Sequence, residues 1–156
     1  MAPTMAQLNR EIEQLIVSGK VRKFIVLFNF KTSPVLRQLK HADVRFVVIG
    51  KPNDTAVPFV DNDNYAAGQA VMQQALATKA IHQPLFIGSN HEWRFEQDRY
   101  QGAQFECQQQ QIELAKFEFA GADFTTLLPQ FKQQLTQADL LIFSSDELLI
   151  KLYGYL

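Results

Sequence analysis

The sequence predicts an α/β fold of parallel sheets with helices packed on both faces. Three observations carry that expectation. Short apolar runs alternate along the chain with longer stretches in which apolar residues recur every three or four positions. The runs Phe24–Phe28, Phe46–Ile49, Pro84–Gly88 and Leu140–Phe143 lack polar alternation, as strands covered on both faces do. The 156 residues, 47% apolar and 20% charged with 13 phenylalanines, suffice for one domain with a sizeable core or for two small lobes.

The first element is a helix in which Met5, Leu8, Ile12, Leu15 and Ile16 form one stripe, and Gly19 stands where a left-handed terminator belongs. The strand Phe24–Phe28 follows. Ser33 and Pro34 then read as N-cap and first residue of a short helix carrying Val35, Leu36 and Leu39. The strand Phe46–Ile49 is stopped by the turn formers Gly50-Lys51-Pro52-Asn53-Asp54, and Pro58 keeps Val57–Val60 extended. Asp61 to Asn64 offer several N-caps to a helix over Tyr65–Thr78, whose apolar stripe is Ala67, Val71, Met72, Ala75 and Leu76.

The alternation then repeats. Pro84–Gly88 is a strand, and a helix over roughly Glu96–Gln110 places Tyr100, Ala103 and Cys107 on one side. Leu114–Phe119 is a strand, and Phe124–Gln137 a helix with Leu127, Leu128, Phe131 and Leu135 inward. Leu140–Phe143 is the last strand, and a helix begins at Glu147. A boundary between two βα sets falls near Val60, giving units 1–60 and 61–156.

Fifteen basic against sixteen acidic residues leave a net charge of -1, without the clustered cations that displace counterions from DNA. One cysteine, Cys107, allows no internal disulfide. No signal-peptide pattern and no apolar run of membrane-spanning length occur, so the expected compartment is the cytoplasm.

Parallel sheets collect ligands beyond the carboxyl ends of their strands. Those tips here are Asn29 to Lys31, Gly50-Lys51, Gly88 to Asn90, Phe119 and Ser144-Ser145-Asp146, which read either as a polar cleft or as ordinary strand ends. Arg99, early in its helix, reaches back over the tips, and its five fixed donors suit adjacent hydroxyls or a carboxylate. Beside Glu96 and Asp98, an arginine standing alone is more often a surface ion pair.

Other constellations carry no chemistry. Asp61-x-Asp63 opens like a calcium loop but lacks the mid-loop glycine and the closing acid, so capping explains it. His41, His82 and His91 have no second ligand at metal spacing, and Gln108 to Gln111 read as a solvated helix end. Glycine-rich phosphate loops and nucleophile elbows are missing. The expectation is no catalysis, no metal and no cofactor.

Five separated motifs agree with one family. Phe46-Val47-Val48-Ile49-Gly50-Lys51-Pro52, Val60-Asp61-Asn62-Asp63-Asn64-Tyr65-Ala66-Ala67, Phe86-Ile87-Gly88, Asp98-Arg99-Tyr100-Gln101-Gly102 and Phe143-Ser144-Ser145-Asp146-Glu147-Leu148 together resemble the effector-binding domain of LacI/GalR-type transcription regulators. The succession V-I-G-K-P, then V-D-N-D-N-Y, is closest to maltose-operon repressors.

The resemblance implies a periplasmic-binding-protein-like type I fold with two Rossmann-like lobes, both incomplete here. Residues 1–60 would be part of the N-terminal lobe, and 61–156 the C-terminal lobe without its last strands. It implies a sugar effector, maltose or a related sugar, in a cytoplasmic homodimer. Operator DNA would be reached only through an N-terminal helix-turn-helix head that has no counterpart in these residues. The family's cleft arginine, in R-x-x-G, falls on Arg99, its stacking aromatic on Phe119 and its polar pair on Ser145-Asp146; Lys51 joins them as a strand tip. The sequence departs from the family pattern at Ala80-Ile81 and Leu149-Ile150-Lys151. The alternative expectation is a truncated dimerisation or interaction module that binds no ligand. A doubly wound enzyme ranks third.

Overall fold

The computed structural model describes residues 5–27, 34–42, 44–52, 54, 56–89, 93–119 and 124–155. The chain divides into two compact units, Met1–Asn62 and Asp63–Leu156. The expected N-cap Ser33, the strand end at Phe28, the tip Asn29 to Lys31, and Asn90 and His91 lie outside the described residues.

The first unit contains α1 (Met5–Val17), β1 (Lys23–Val26), α2 (Pro34–His41), β2 (Arg45–Ile49) and β3 (Phe59–Val60). Its strands form a parallel sheet in the order β1-β2-β3, with Val26 opposite Val48 and Val48 opposite Phe59. Gly19 ends α1 at φ +65°, a conformation that glycine adopts without steric cost. Val48 is fully buried against Leu36 and Val57, with Val26 and Phe46 beside them.

Cover on both faces of β1 is not what the structure shows. Val26 faces that cluster, while Ile25 points the other way and is 70% exposed. The strand lies at a sheet edge, and among the described residues of its unit the buried cluster occupies one face. Of Val57–Val60, only Phe59 and Val60 pair as strand.

The second unit contains α3 (Asn64–Thr78), β4 (Pro84–Gly88), α4 (Arg94–Gln109), β5 (Ala115–Glu118), α5 (Phe124–Leu135), β6 (Leu140–Phe143), α6 (Asp146–Leu152) and a 3-10 turn, Tyr153–Tyr155. The sheet is parallel in the order β5-β4-β6. Central β4 has every residue buried, and its pleat feeds two cores. Phe86 packs with Met72 of α3 and with Ala103 and Cys107 of α4, while Leu85 and Ile87 meet Phe117, Phe131, Leu148 and Leu152. Each large side chain so buried contributes about 1.5–3 kcal/mol. Val71, expected on the inward stripe of α3, is 53% exposed; Gly68 and Met72 hold the buried line instead.

Helices α3 and α4 touch backbone to backbone through a reciprocal pair of glycines. A Cβ on Gly68 would lie 2.0 Å from the Arg99 carbonyl oxygen, and one on Gly102 would lie 2.0 Å from that of Tyr65. Only hydrogen fits at either place. This crossing fixes where Arg99 leaves α4. Among the described residues, no helix is long and apolar enough to cross a membrane.

Candidate functional site

The site lies in the second unit, at the carboxyl ends of β4 and β6, where α4 and α6 begin. Asp63 caps α3, its Oδ1 accepting from the Ala66 amide at 2.9 Å, so capping does explain this aspartate. The helix thereby starts at Asn64, which is 3% exposed. Ser145 caps α6, its hydroxyl accepting from the Leu148 amide at 3.3 Å. Asp146 follows in the first turn, where a carboxylate suits the helix dipole, and accepts from the Glu147 amide at 2.9 Å.

Arg99 joins these elements. Its Nε donates to Asn64 Oδ1 at 3.0 Å and its Nη1 to the Ser144 carbonyl at 2.5 Å. The guanidinium carbon stands 5.1 Å from the centre of the Phe95 ring, a cation–π distance. Two nitrogens are thus buttressed, and Nη2 makes no hydrogen bond to a described residue. A cavity of about 400 Å³ adjoins, its polar wall made by Arg99, Ser144, Ser145 and Asp146 and its apolar wall by residues including Val71 and Leu149.

The surface ion pair between Arg99 and its helix neighbours is not what forms. Asp98 pairs with Arg94 at 3.0 Å, and Glu96, 3% exposed, turns inward to serines. Its carboxylate accepts from the Ser89 amide at 3.0 Å, the Ser89 hydroxyl at 2.6 Å and the Ser144 hydroxyl at 2.8 Å. Sequence reasoning missed Asn64 and Glu96 as parts of the site. The available signal was weak: two polar residues at helix starts beside strand tips.

The five nominated residues do not all meet. Arg99, Ser145 and Asp146 line one cavity. Phe119, 6% exposed, sits among Phe117 and Phe131 with ring centres 5.0 and 5.1 Å away, both edge-to-face. Lys51 belongs to the first unit, where its amide donates to Asp61 at 3.0 Å. Cys107 is wholly buried, and burial pushes its thiol above the usual range, the opposite of what a nucleophile needs.

Two parallel sheets with helices packed against their strands form an α/β fold of the periplasmic-binding-protein-like type. The comparisons place the chain more narrowly. No family model matches it. The HTH-type transcriptional regulator MalR of Staphylococcus xylosus is 31% identical over 97 residues, covering 62% of this chain and 28% of the regulator. A transcription regulator-like protein from Staphylococcus haemolyticus superposes with a TM-score of 0.80 at 24% identity, over 99% of this chain and 58% of that one. A periplasmic binding protein/LacI transcriptional regulator from Alkaliphilus metalliredigens, solved with D-xylulofuranose, gives a TM-score of 0.68 at 16% identity, over 89% and 51%. In sequence and fold the chain resembles the effector-binding domain of LacI-type regulators, with its sequence match on the MalR side of that family. It spans less than a third of MalR and somewhat over half of these solved relatives.

Proposed function

We propose that the chain is the sugar-sensing part of a LacI-type transcriptional repressor, with Met1–Asn62 contributing to one lobe of an effector domain and Asp63–Leu156 to the other. The observation that carries this reading is Arg99: held at two nitrogens by Asn64 and Ser144, it keeps Nη2 for a ligand beside Asp146. Adjacent sugar hydroxyls offer acceptors to a guanidinium and donors to a carboxylate, so the two together suit a pyranose edge better than a simple anion. A protein with this fold solved with D-xylulofuranose supports a sugar as the class of ligand. Maltose or a related sugar is the proposed effector, Arg99, Ser145 and Asp146 its primary contacts, and Lys51 and Phe119 secondary ones. Such a ligand acts by binding two states of the protein unequally. DNA contact, in a homodimer, belongs to a separate head, since these residues carry a net charge of -1.

Calorimetry of the chain with maltose and related glucosides tests this reading. Removing charge-assisted hydrogen bonds through Arg99→Ala is expected to weaken binding at least about tenfold. Equal affinity in the variant removes Arg99 from the site, and titrations without heat for every sugar remove the sugar reading.

One observation favours the interaction-module reading. Strand β6 lies at a sheet edge, and Val71, Leu149 and Ile150 nearby are 53%, 38% and 72% exposed. Apolar surface next to an open strand invites association. Light scattering that shows a monomer at every concentration sampled excludes it.

A further inference from the structure

We infer that Glu96 is a positioning residue: its buried carboxylate ties the ends of β4 and β6 together and, through Ser144, fixes the guanidinium of Arg99. A carboxylate taken out of water is costly unless donors surround it. Glu96 has its donors from the two loops that the sheet brings side by side, Ser89 after β4 and Ser144 after β6. Even Gly88 is shaped to it, since a Cβ there would lie 3.1 Å from Oε2.

Ser144 is the link. It is 1% exposed, its amide donates to the Ile87 carbonyl at 2.9 Å, its hydroxyl to Glu96 Oε1, and its carbonyl accepts from Arg99 Nη1. Glu96 and Arg99 stand one turn apart on α4 and grip the same serine, one at the hydroxyl and one at the carbonyl. Oε1 takes both hydroxyls and shares the Ser89 amide with Oε2, at 3.2 and 3.0 Å. The contact of Oε1 with the Ser144 hydroxyl leads to Arg99. That Arg99 meets ligand rests on the reading proposed above; that Glu96 positions it rests on this geometry.

The Arg99 Nε–H proton reports the effect without ligand. Its signal in a nitrogen-15 spectrum of arginine side chains is assigned by its loss in Arg99→Lys, and its exchange with water measures the bond to Asn64. Ser144→Ala deletes the hydroxyl and keeps the carbonyl. It is expected to speed Nε–H exchange about tenfold, the factor implied by losing one hydrogen bond to a charged group. Glu96→Ala is expected to do the same. Glu96→Gln keeps an oxygen for both hydroxyls and is expected to retain slow exchange. A stabilising role alone would lower the unfolding midpoint in all three variants and leave the proton untouched. Wild-type exchange in Ser144→Ala overturns the inference, as does equally fast exchange in Glu96→Gln and Glu96→Ala. Because no sugar enters the measurement, a silent sugar titration leaves its outcome intact.

Discussion

Adding one methyl group at the crossing of α3 and α4 has an effect whose sign is diagnostic. In an open helix Gly→Ala stabilises by about 1 kcal/mol, because alanine has less backbone entropy to lose. At Gly68 the new Cβ would stand 2.0 Å from the Arg99 carbonyl oxygen, whereas ordinary contact begins near 3.4 Å. That neighbour is backbone and cannot swing aside, so the helices must part by on the order of 1 Å across a packed core. Overpacking of this kind costs about 1–3 kcal/mol or more, and against backbone the upper end applies, leaving a net loss of about 1–2 kcal/mol. Gly102→Ala meets the Tyr65 carbonyl at the same distance and is expected to cost as much. The double variant is expected to lose less than the sum, since one separation relieves both collisions. Gly154, with nothing within 4 Å of a built Cβ, is the control and is expected to tolerate alanine. Urea unfolding followed by the single tryptophan, Trp93, which immediately precedes α4, reads all four variants in the second unit. Greater stability in Gly68→Ala or Gly102→Ala refutes the close crossing.

Two further expectations concern stability. Phe131 is fully buried at the centre of the aromatic cluster, so Phe131→Ala is expected to cost about 3–5 kcal/mol, read from the same urea curves, and a loss below about 1 kcal/mol would contradict that packing. The hydrogen bond from the His82 amide, helped by that from Gln83 and by the nearby Lys79 charge, holds the Asp139 carboxyl below its usual pKa against the opposing effect of burial. A carboxyl lowered in the folded state stabilises above its unfolded value, about 3.9, and that contribution fades as pH falls through the lower folded value. Asp139→Ala is therefore expected to lower the unfolding midpoint at pH 7 and to differ less from wild type near pH 3; an equal difference at both pH values would show that the charge contributes nothing.

What the sequence made legible follows from how local each signal is. The run Pro84–Gly88 announces a strand covered on both faces, and every residue of β4 is buried. Capping within Asp61 to Asn64 and termination at Gly19 depend on residues within one turn and were legible, although the choice of Asp63 among the four was not. Glu96 could not. Its partners lie 7 and 48 residues away, so beside Asp98 and Arg99 it looks like a solvated face until the sheet brings β4 and β6 together. The glycine crossing is equally non-local, although Gly68 and Gly102 each stand three residues after the carbonyl that the other one meets. The buried setting of Phe119 was within reach of sequence reasoning. Phe117 and Phe119 are two residues apart at the end of one strand, so they share a face, and α5 offers Phe131 to that face. For Ile25 the apolar run was right and the inference from it was not, because composition does not reveal which face of a strand lacks a covering layer.

Helix α4 gathers these dependencies on one line. Glu96, Arg99 and Gly102 follow at intervals of three and so lie along one face of the helix. Gly102 meets α3, Glu96 meets the ends of β4 and β6, and Arg99, between them, bonds to both sides: to Asn64 of α3 and to Ser144 after β6. The order of the three has a mechanical consequence. Parting α3 from α4 at the glycines moves Asn64 relative to Arg99, so a larger residue there disturbs the guanidinium as well as the core. Cutting Glu96 from Ser144 loosens the guanidinium on its other side and leaves the glycine crossing closed. The two perturbations therefore separate: one changes stability and the Arg99 bonds together, and the other changes chiefly the bonds. An arginine held from two independent directions has little freedom left to lose, which is the condition that the ligand contact proposed for Arg99 requires.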